Sequence, residues 1–99
     1  MQTKKASLLK LKTKDFKPNL YKVILLNDNV TTMDFVVFIL VEIFSKSSNE
    51  AINLMLKIHE IGSAVCGVYT KEIAKTKQLQ VLNLAKTNGF PLKCILKEE

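Results

Sequence analysis

The densest group of side chains that could do chemistry lies in the seven residues from Asn27 to Met33. This stretch holds two asparagines, one aspartate, two threonines and a methionine between two apolar runs. It is either a turn or one wall of a binding site, because Asn and Asp side chains hydrogen-bond nearby backbone groups. As a turn, it would use Thr31 or Thr32 as the N-cap of a following helix.

His59, the only histidine of the chain, is the second candidate. It follows an apolar helical stripe, with Met55 four residues earlier on the same face, so a structural role is one interpretation. As a general base it would need a nucleophile or an orienting acid. Asp28 could supply the acid in space, but no neighbour in the sequence supplies either group. The pattern therefore argues against an enzyme.

A different chemistry uses the same residues if the strand before Asn27 packs beside the helix that carries His59. Asn27, Asp28 and His59 would then offer an amide oxygen, a carboxylate and a neutral imidazole nitrogen to an ammonium group. An apolar hole beside them would be lined by Met33, Val36, Met55 and Ile58. Such a site would capture a primary amine attached to a bulky apolar side chain, which describes the first residue of a peptide.

Apolar patterning and helix caps predict the elements that hold these residues. Residues 21–26 form a first strand, and the apolar run 33–44 forms a buried helix. A Ser47–Glu50 capping box begins a second helix, which ends at Gly62. Residues 63–69 form a second strand, in which Gly67 allows close approach of another backbone.

A third helix, capped by Thr70, is predicted from Lys71 to about Lys86, and a last strand from 92 to 97. Its inward residues would be Ile73, Ala74, Val81 and Ala85. The order β-α-α-β-α-β predicts an α+β fold in which a three-stranded antiparallel sheet packs against three helices. This single domain would span residues 21–99.

The positive charge of the chain is concentrated in a flexible, lysine-rich arm predicted for residues 1–20. Residues 1–17 hold six lysines and one acidic residue, a net charge of +5, and the rest of the chain carries only +1. All fifteen basic residues are lysine, so the guanidinium fork that commonly reads guanine or clamps phosphate is absent. A small basic nucleic-acid-associated domain remains the alternative function.

Apolar runs are too short for a membrane-spanning segment. The longest, residues 35–41, is seven residues long, whereas a spanning helix needs roughly 20. The N-terminus also lacks the apolar core of a signal peptide. We therefore expect a cytoplasmic monomer without membrane or nucleic-acid partners.

The two cysteines, Cys66 and Cys94, have neither CxxC spacing nor a set of histidines beside them. This argues against a zinc site, and a reducing compartment argues against a disulfide. We expect buried, unreactive thiols, no metal and no cofactor.

Spaced motifs over four fifths of the chain, from about Tyr21 to Leu96, closely resemble the ClpS adaptor family. The matching residues are Tyr21-Lys22-Val23-Ile24-Leu25-Leu26-Asn27-Asp28, Thr31-x-Met33-x-Phe35-Val36, Met55-Leu56-x-x-His59-x-x-Gly62-x-Ala64-x-Cys66-Gly67-x-x-Thr70-x-Glu72-x-Ala74-x-x-Lys77 and Pro91-Leu92-x-Cys94.

The resemblance implies a non-enzymatic adaptor that binds N-degrons, proteins with N-terminal Leu, Phe, Tyr or Trp, and delivers them to a ClpA-type AAA+ unfoldase. It assigns Asn27, Asp28 and His59 to the α-amino group, with Asn29 as a possible fourth. It assigns the hydrophobic pocket to Thr31, Met33, Val36, Met55 and Ile58, with Met33 as a gate against β-branched side chains. Glu72 and Lys77 match the surface that docks on the N-terminal domain of the unfoldase, and residues 1–20 match the extension used for handover.

Two positions depart from the family pattern. Asn29 stands where many members carry an acid, which removes one negative charge near the amine and weakens the charge-assisted part of the attraction. Thr32 stands where proline is usual, so the approach to Met33 would be less rigid.

Overall fold

The computed structural model describes residues 19–99, so the predicted arm falls almost entirely outside the described residues. The elements are β1 (Leu20–Leu26), α1 (Met33–Glu42), α2 (Ser48–Ile61), β2 (Ser63–Thr70), α3 (Lys71–Thr87) and β3 (Lys93–Glu98). This confirms the predicted β-α-α-β-α-β order.

β1 lies in the centre of an antiparallel sheet with the strand order β2-β1-β3. Val23 and Leu25 on this strand are wholly buried, because the three helices cover the face on which they lie. The opposite face carries Ile24 and faces away from the helices. The core under the helices also includes Ile39, Leu40, Ala51, Ile58, Ala64, Cys66, Ala74, Val81, Ala85, Leu92 and Cys94.

α1 begins at a side-chain cap and ends in a left-handed residue. The Thr32 hydroxyl accepts a hydrogen bond from the Phe35 N–H at 3.2 Å, so Thr32 is the cap. At the other end Ser45 has φ 55°, and the Lys46 N–H reaches the Leu40 carbonyl at 3.0 Å. Helices commonly end near a residue in this left-handed conformation, which is usually glycine and here is serine. The helix therefore stops at Glu42 although the apolar run continues to residue 44.

α2 has the predicted caps at both ends. Ser47 and Glu50 form the complete capping box, and Gly62 adopts φ 108° at the C-cap. Its N–H donates to the Ile58 carbonyl at 2.9 Å. Gly62 is therefore required by the backbone conformation, which side chains other than glycine rarely adopt.

β2 contains a bulge at Cys66. Val65 pairs with Ile24 and Gly67 pairs with Val23, so Cys66 is the extra residue between them. The close approach predicted at Gly67 exists, but a side chain makes it: a Cβ built at Gly67 would lie 2.6 Å from the ring carbon Cζ of Tyr69. The atoms nearest to such a Cβ belong to this side chain rather than to another backbone.

Both cysteines are buried and free, as predicted. Burial raises the pKa of the Cys66 thiol to about 11 and that of Cys94, which also lies near Cys66, to about 12. At neutral pH both are therefore protonated thiols, the form that reacts poorly.

α3 corrects one inward residue of the prediction. Ala74, Val81 and Ala85 are buried, but Ile73 is 49% exposed. The buried stripe instead includes Gln78, whose Nε2 donates to the Cys94 carbonyl at 2.8 Å. The spacing 74, 78, 81 and 85 is a helical stripe, and a polar residue within it concealed its position in the sequence. Thr70 is the N-cap residue, but its side chain does not make a capping hydrogen bond.

Candidate functional site

Strand pairing brings the Asn27 turn beside the C-terminal end of α2. Leu26, the last residue of β1, pairs with Ser63, the first residue of β2. One residue further, the Asn27 N–H donates to the Gly62 carbonyl at 2.9 Å. Gly62 caps α2 only three residues after His59, so these backbone contacts place Asn27 and His59 at the same end of the domain.

A cavity of about 410 Å³ occupies this end of the domain. Every residue assigned above to the amine or to the hydrophobic pocket lines it, and so do two residues that were not assigned. The lining consists of Asn27, Asp28, Asn29, Val30, Thr31, Thr32, Met33, Val36, Met55, Ile58 and His59. Val30 and Thr32 lie inside the stretch from Asn27 to Met33. Their position between assigned residues was the feature of the sequence that could have predicted that they line the cavity.

Asp28 organises the turn that forms the polar wall. Its Oδ1 accepts the N–H groups of Val30 at 2.8 Å and Thr31 at 2.7 Å, and its Oδ2 accepts the Thr31 hydroxyl at 2.6 Å. A carboxylate has about four acceptor sites, so roughly one remains for a ligand. Thr31 is thus primarily a partner of Asp28 rather than an apolar wall residue.

Hydrogen bonding keeps Asp28 ionised. Burial raises the pKa of its carboxyl, but the side-chain and backbone hydrogen bonds from Thr31 and Val30, with the nearby charge of Lys93, outweigh it and lower the pKa. The turn therefore presents a negative charge at neutral pH. Asn27 and Asn29 lie beside it with exposed amide side chains.

The apolar wall comes from α1 and α2. Val36 and Ile58 are buried at its base, whereas Met33 at the first turn of α1 is 44% exposed at its rim. Met55 is half-buried, and His59 follows it one turn later in the last turn of α2. The cavity therefore joins an apolar interior to a rim of hydrogen-bond acceptors and one carboxylate.

Glu72 and Lys77 lie away from this cavity, on α3. Glu72 is exposed in the first turn of the helix. The Lys77 ammonium is half-buried: Nζ donates to the Ile43 carbonyl at 2.7 Å and lies 5.7 Å from the centroid of the Tyr69 ring. Lys77 therefore ties α3 to the end of α1.

A second cavity, of about 450 Å³, lies between α1 and α3. It is lined by Phe38, Glu42, Ile43, Gln80, Asn83 and Leu84. Phe38 is 47% exposed there. All of its lining residues belong to the two helices or the end of α1, so no turn contributes converging polar groups.

Within residues 19–99, none of the helices is both long and apolar enough to span a membrane. The same residues include no cluster of three or more His, Cys, Asp or Glu side chains that could hold a metal ion.

Comparisons with known proteins agree with this arrangement. The model of the family described as ATP-dependent Clp protease adaptor protein ClpS matches residues 16–95. The ATP-dependent Clp protease adapter protein ClpS of Campylobacter jejuni is 53% identical over 87 residues, covering 88% of this chain and 91% of the relative. That of Hyphomonas neptunium is 49% identical over 94 residues, covering 95% of this chain and 78% of the relative.

A solved structure is also similar: Agrobacterium tumefaciens ClpS2 bound to L-phenylalaninamide. It superimposes with a TM-score of 0.81 at 40% identity, covering 84% of this chain and all of that one. Sequence and fold lead to the same family, and the chain belongs to the ClpS adaptors of the ATP-dependent Clp protease.

Proposed function

We propose that this protein is an adaptor that binds the free α-amino group and bulky hydrophobic side chain of N-degron substrates and delivers them to a ClpA-type unfoldase. The observation that carries the proposal is one cavity in which acceptors from the turn and His59 adjoin an apolar interior. L-phenylalaninamide, the ligand of the similar ClpS2, has the same two features, a free amine and a large apolar side chain.

Recognition would combine two contributions, one from the side chain and one from the amine. Burying a Leu or Phe side chain contributes roughly 1.5–3 kcal/mol. Each hydrogen bond to the charged amine adds about 1.5–3 kcal/mol. The acceptors would be the side chains of Asn27 and His59 and the remaining site on Asp28, whose charge also attracts the ammonium group, with Asn29 as an alternative acceptor for one of its three N–H groups. Neither contribution alone suffices for tight binding.

Binding of this kind needs no bond-breaking chemistry. The side chains around the cavity serve as acceptors and apolar walls, and Asp28 is held by its own turn. The protein would thus act by carrying substrates to a protease rather than by cleaving them, and would do so as a monomer.

Docking on the N-terminal domain of the unfoldase would use the first two turns of α3. Glu72 and Ile73 are exposed there, and Lys77 lies one turn further along the helix. The exposed isoleucine, which helix packing alone does not explain, supports this role because protein interfaces commonly centre on apolar side chains. Residues 1–20 would then serve the handover of the substrate.

Fluorescence titration of labelled peptides tests the binding step. A peptide with free N-terminal Phe should bind at least about a hundredfold more tightly than its N-acetylated form, because acetylation removes the charge and donors of the amine. A peptide with Phe placed internally should be as weak as the acetylated one. Equal affinity for all three would refute the proposal.

A degradation assay with a ClpA-type unfoldase and its protease tests delivery. Glu72→Lys should slow degradation of a Phe-initiated substrate while leaving peptide affinity unchanged. Lys86→Glu, a charge reversal at an exposed position near the other end of α3, is the matched control. If both variants deliver normally, the docking surface lies elsewhere.

A further inference from the structure

The face of the sheet that points away from the helices is unusually apolar for a surface that no residue in the range 19–99 covers. Strand alternation and pairing place six apolar side chains there, and Val65, Val68 and Ile95 are each about 40% exposed. Val65, Ile24 and Ile95 form a row straight across the three strands. We call this surface the outer sheet face; its apolar residues are Leu20, Ile24, Leu26, Val65, Val68 and Ile95.

The strand residues of the outer sheet face carry charge of one sign. The acidic Glu99, which follows β3 and whose N–H donates to the Leu20 carbonyl at 2.9 Å, lies at the end of the face away from the cavity. Lys22 lies directly opposite Lys97 across β1 and β3, and Lys93 lies opposite Leu26. Among the strand residues of this face, all within the described part of the chain, none is acidic. Like charges directly opposite each other are unfavourable, so an acidic occupant would relieve this repulsion.

The outer sheet face begins where the pocket ends. Leu26 is the last residue of β1, and Asn27 is the first residue of the cavity. Lys93, paired with Leu26, lies close enough for its charge to act on the Asp28 carboxyl. A substrate held by its first residue must continue out of the cavity, and this lysine-flanked apolar surface adjoins its rim.

The chemistry of the face argues against other occupants. A second copy of the chain would bring three lysines against three lysines. The strand residues of the outer sheet face include no aromatic side chain. Single-stranded nucleic-acid sites typically stack bases on aromatic groups, and membrane-surface binders typically use Trp or Phe. Apolar residues interleaved with carboxylates complement the face better.

We propose that the outer sheet face binds the substrate segment that follows the N-terminal residue, and that it selects segments in which acidic and apolar residues alternate. This inference rests on the proposed function, since it needs the first residue to be anchored in the cavity. From Lys93 to Lys97 the face spans four residue-to-residue steps, about 13 Å at 3.3 Å per step. About five substrate residues, after a short spacer, would cover it, so a six-residue segment is long enough to test.

Three peptides that begin Phe-Ser-Ser and continue with six residues test the proposal by fluorescence titration. The six residues alternate Val with Glu, with Ser or with Lys. At low salt the Glu peptide should bind about tenfold more tightly than the Lys peptide, with the Ser peptide between them, and added salt should reduce the difference.

Charge reversal locates the preference on the protein. In the double variant Lys93→Glu/Lys97→Glu, the affinity for the Glu peptide divided by that for the Lys peptide should fall to one or below. Because both peptides have the same free amine, a change in amine binding alters both affinities equally and leaves this ratio unchanged. The same ratio should be unchanged in Lys86→Glu, which alters charge on α3. A ratio near one in the wild-type protein, or an equal shift in both variants, would overturn the inference.

Additional binding measurements distinguish this inference from the proposed function and from other occupants of the face. If the N-acetylated Glu peptide binds as well as the free one, the proposed function fails. If the free amine is required but the ratio is near one, only the outer sheet face inference fails. Binding to anionic vesicles, or self-association abolished by Ile95→Ser, with a ratio near one would assign the face to lipid or to a second copy instead.

Discussion

Two cavities among the described residues are similar in size but differ in what surrounds them. The cavity at the Asn27 turn has a volume of about 410 Å³, and the one between α1 and α3 about 450 Å³. Each has a large exposed apolar side chain at its rim, Met33 at 44% and Phe38 at 47%. Volume and exposed apolar surface therefore do not distinguish them.

The difference lies in how their polar groups are held. In the first cavity the Asp28 carboxylate fixes a turn, and that turn and His59 present acceptors to one space. In the second, Glu42, Gln80 and Asn83 project from helices as ordinary surface side chains. Preorganised acceptors, rather than available space, make the first cavity suitable for a charged ligand.

Removal of a hydrogen-bond acceptor is expected to have the largest effect on peptide affinity. Asn27→Ala should weaken binding of a Phe-initiated peptide by about ten- to a hundredfold, because it removes a hydrogen bond to a charged group. Asn83→Ala in the second cavity removes the same side chain and should leave affinity within about twofold. Isothermal titration calorimetry measures both, and equal losses would erase the distinction between the cavities.

Loss of the His59 imidazole should weaken binding by about tenfold. His59→Leu removes the ring nitrogen that would accept a hydrogen bond from the amine, and a hydrogen bond to a charged group contributes about 1.5–3 kcal/mol. His59→Gln keeps an acceptor atom and should recover part of the affinity, as measured by isothermal titration calorimetry. An unchanged affinity in His59→Leu would exclude His59 from the contact.

Removing an apolar side chain from the rim of the first cavity should weaken peptide binding by about fivefold. Met33→Ala removes part of the surface that covers a bound side chain. Phe38→Ala, at a similarly exposed position of the second cavity, is the matched control and should not change peptide affinity. A loss in Phe38→Ala as large as that in Met33→Ala would place ligand contacts in both cavities.

The smallest effect is expected from the support of the turn. Thr31→Val removes the hydroxyl that Asp28 accepts at 2.6 Å but keeps the two backbone hydrogen bonds, so affinity should fall by about threefold. It should also raise the Asp28 pKa, which NMR titration of the carboxyl carbon would show. Thr31→Ser should restore both values, whereas a purely steric role for Thr31 would leave the pKa unchanged.

Depression of the Asp28 pKa also sets the sign of its effect on stability. The contribution is present above the ordinary carboxyl range and is lost as pH falls through the lowered folded-state value. The turn should therefore remain intact at mildly acidic pH.

Local signals were sufficient for most of the fold. The Ser47–Glu50 capping box and Gly62 defined α2 because both act within a few residues of the chain. Local signals failed where a group distant in the sequence determined which side chains of a helix are buried. Gln78 is half-buried because the Cys94 carbonyl accepts its amide, and Ile73 is exposed because the stripe runs through Gln78 instead.

The residues grouped from the sequence line one cavity, but the sequence did not indicate some of the contacts between them. All eight residues assigned to the amine and the pocket, and Asn29, line one cavity. The sequence did not indicate that Thr31 is bound to Asp28, since either threonine of the pair could have been the cap.

The sequence by itself determined the elements, their order and the polar stretch from Asn27 to Met33, because caps, turns and apolar periods are local. Only the tertiary structure decided that this stretch meets His59, 32 positions after Asn27. The physical reason is the antiparallel pairing of Leu26 with Ser63 and the hydrogen bond from Asn27 to Gly62, which join distant parts of the chain. Pairing between strands depends on the whole sheet, and no short segment encodes it.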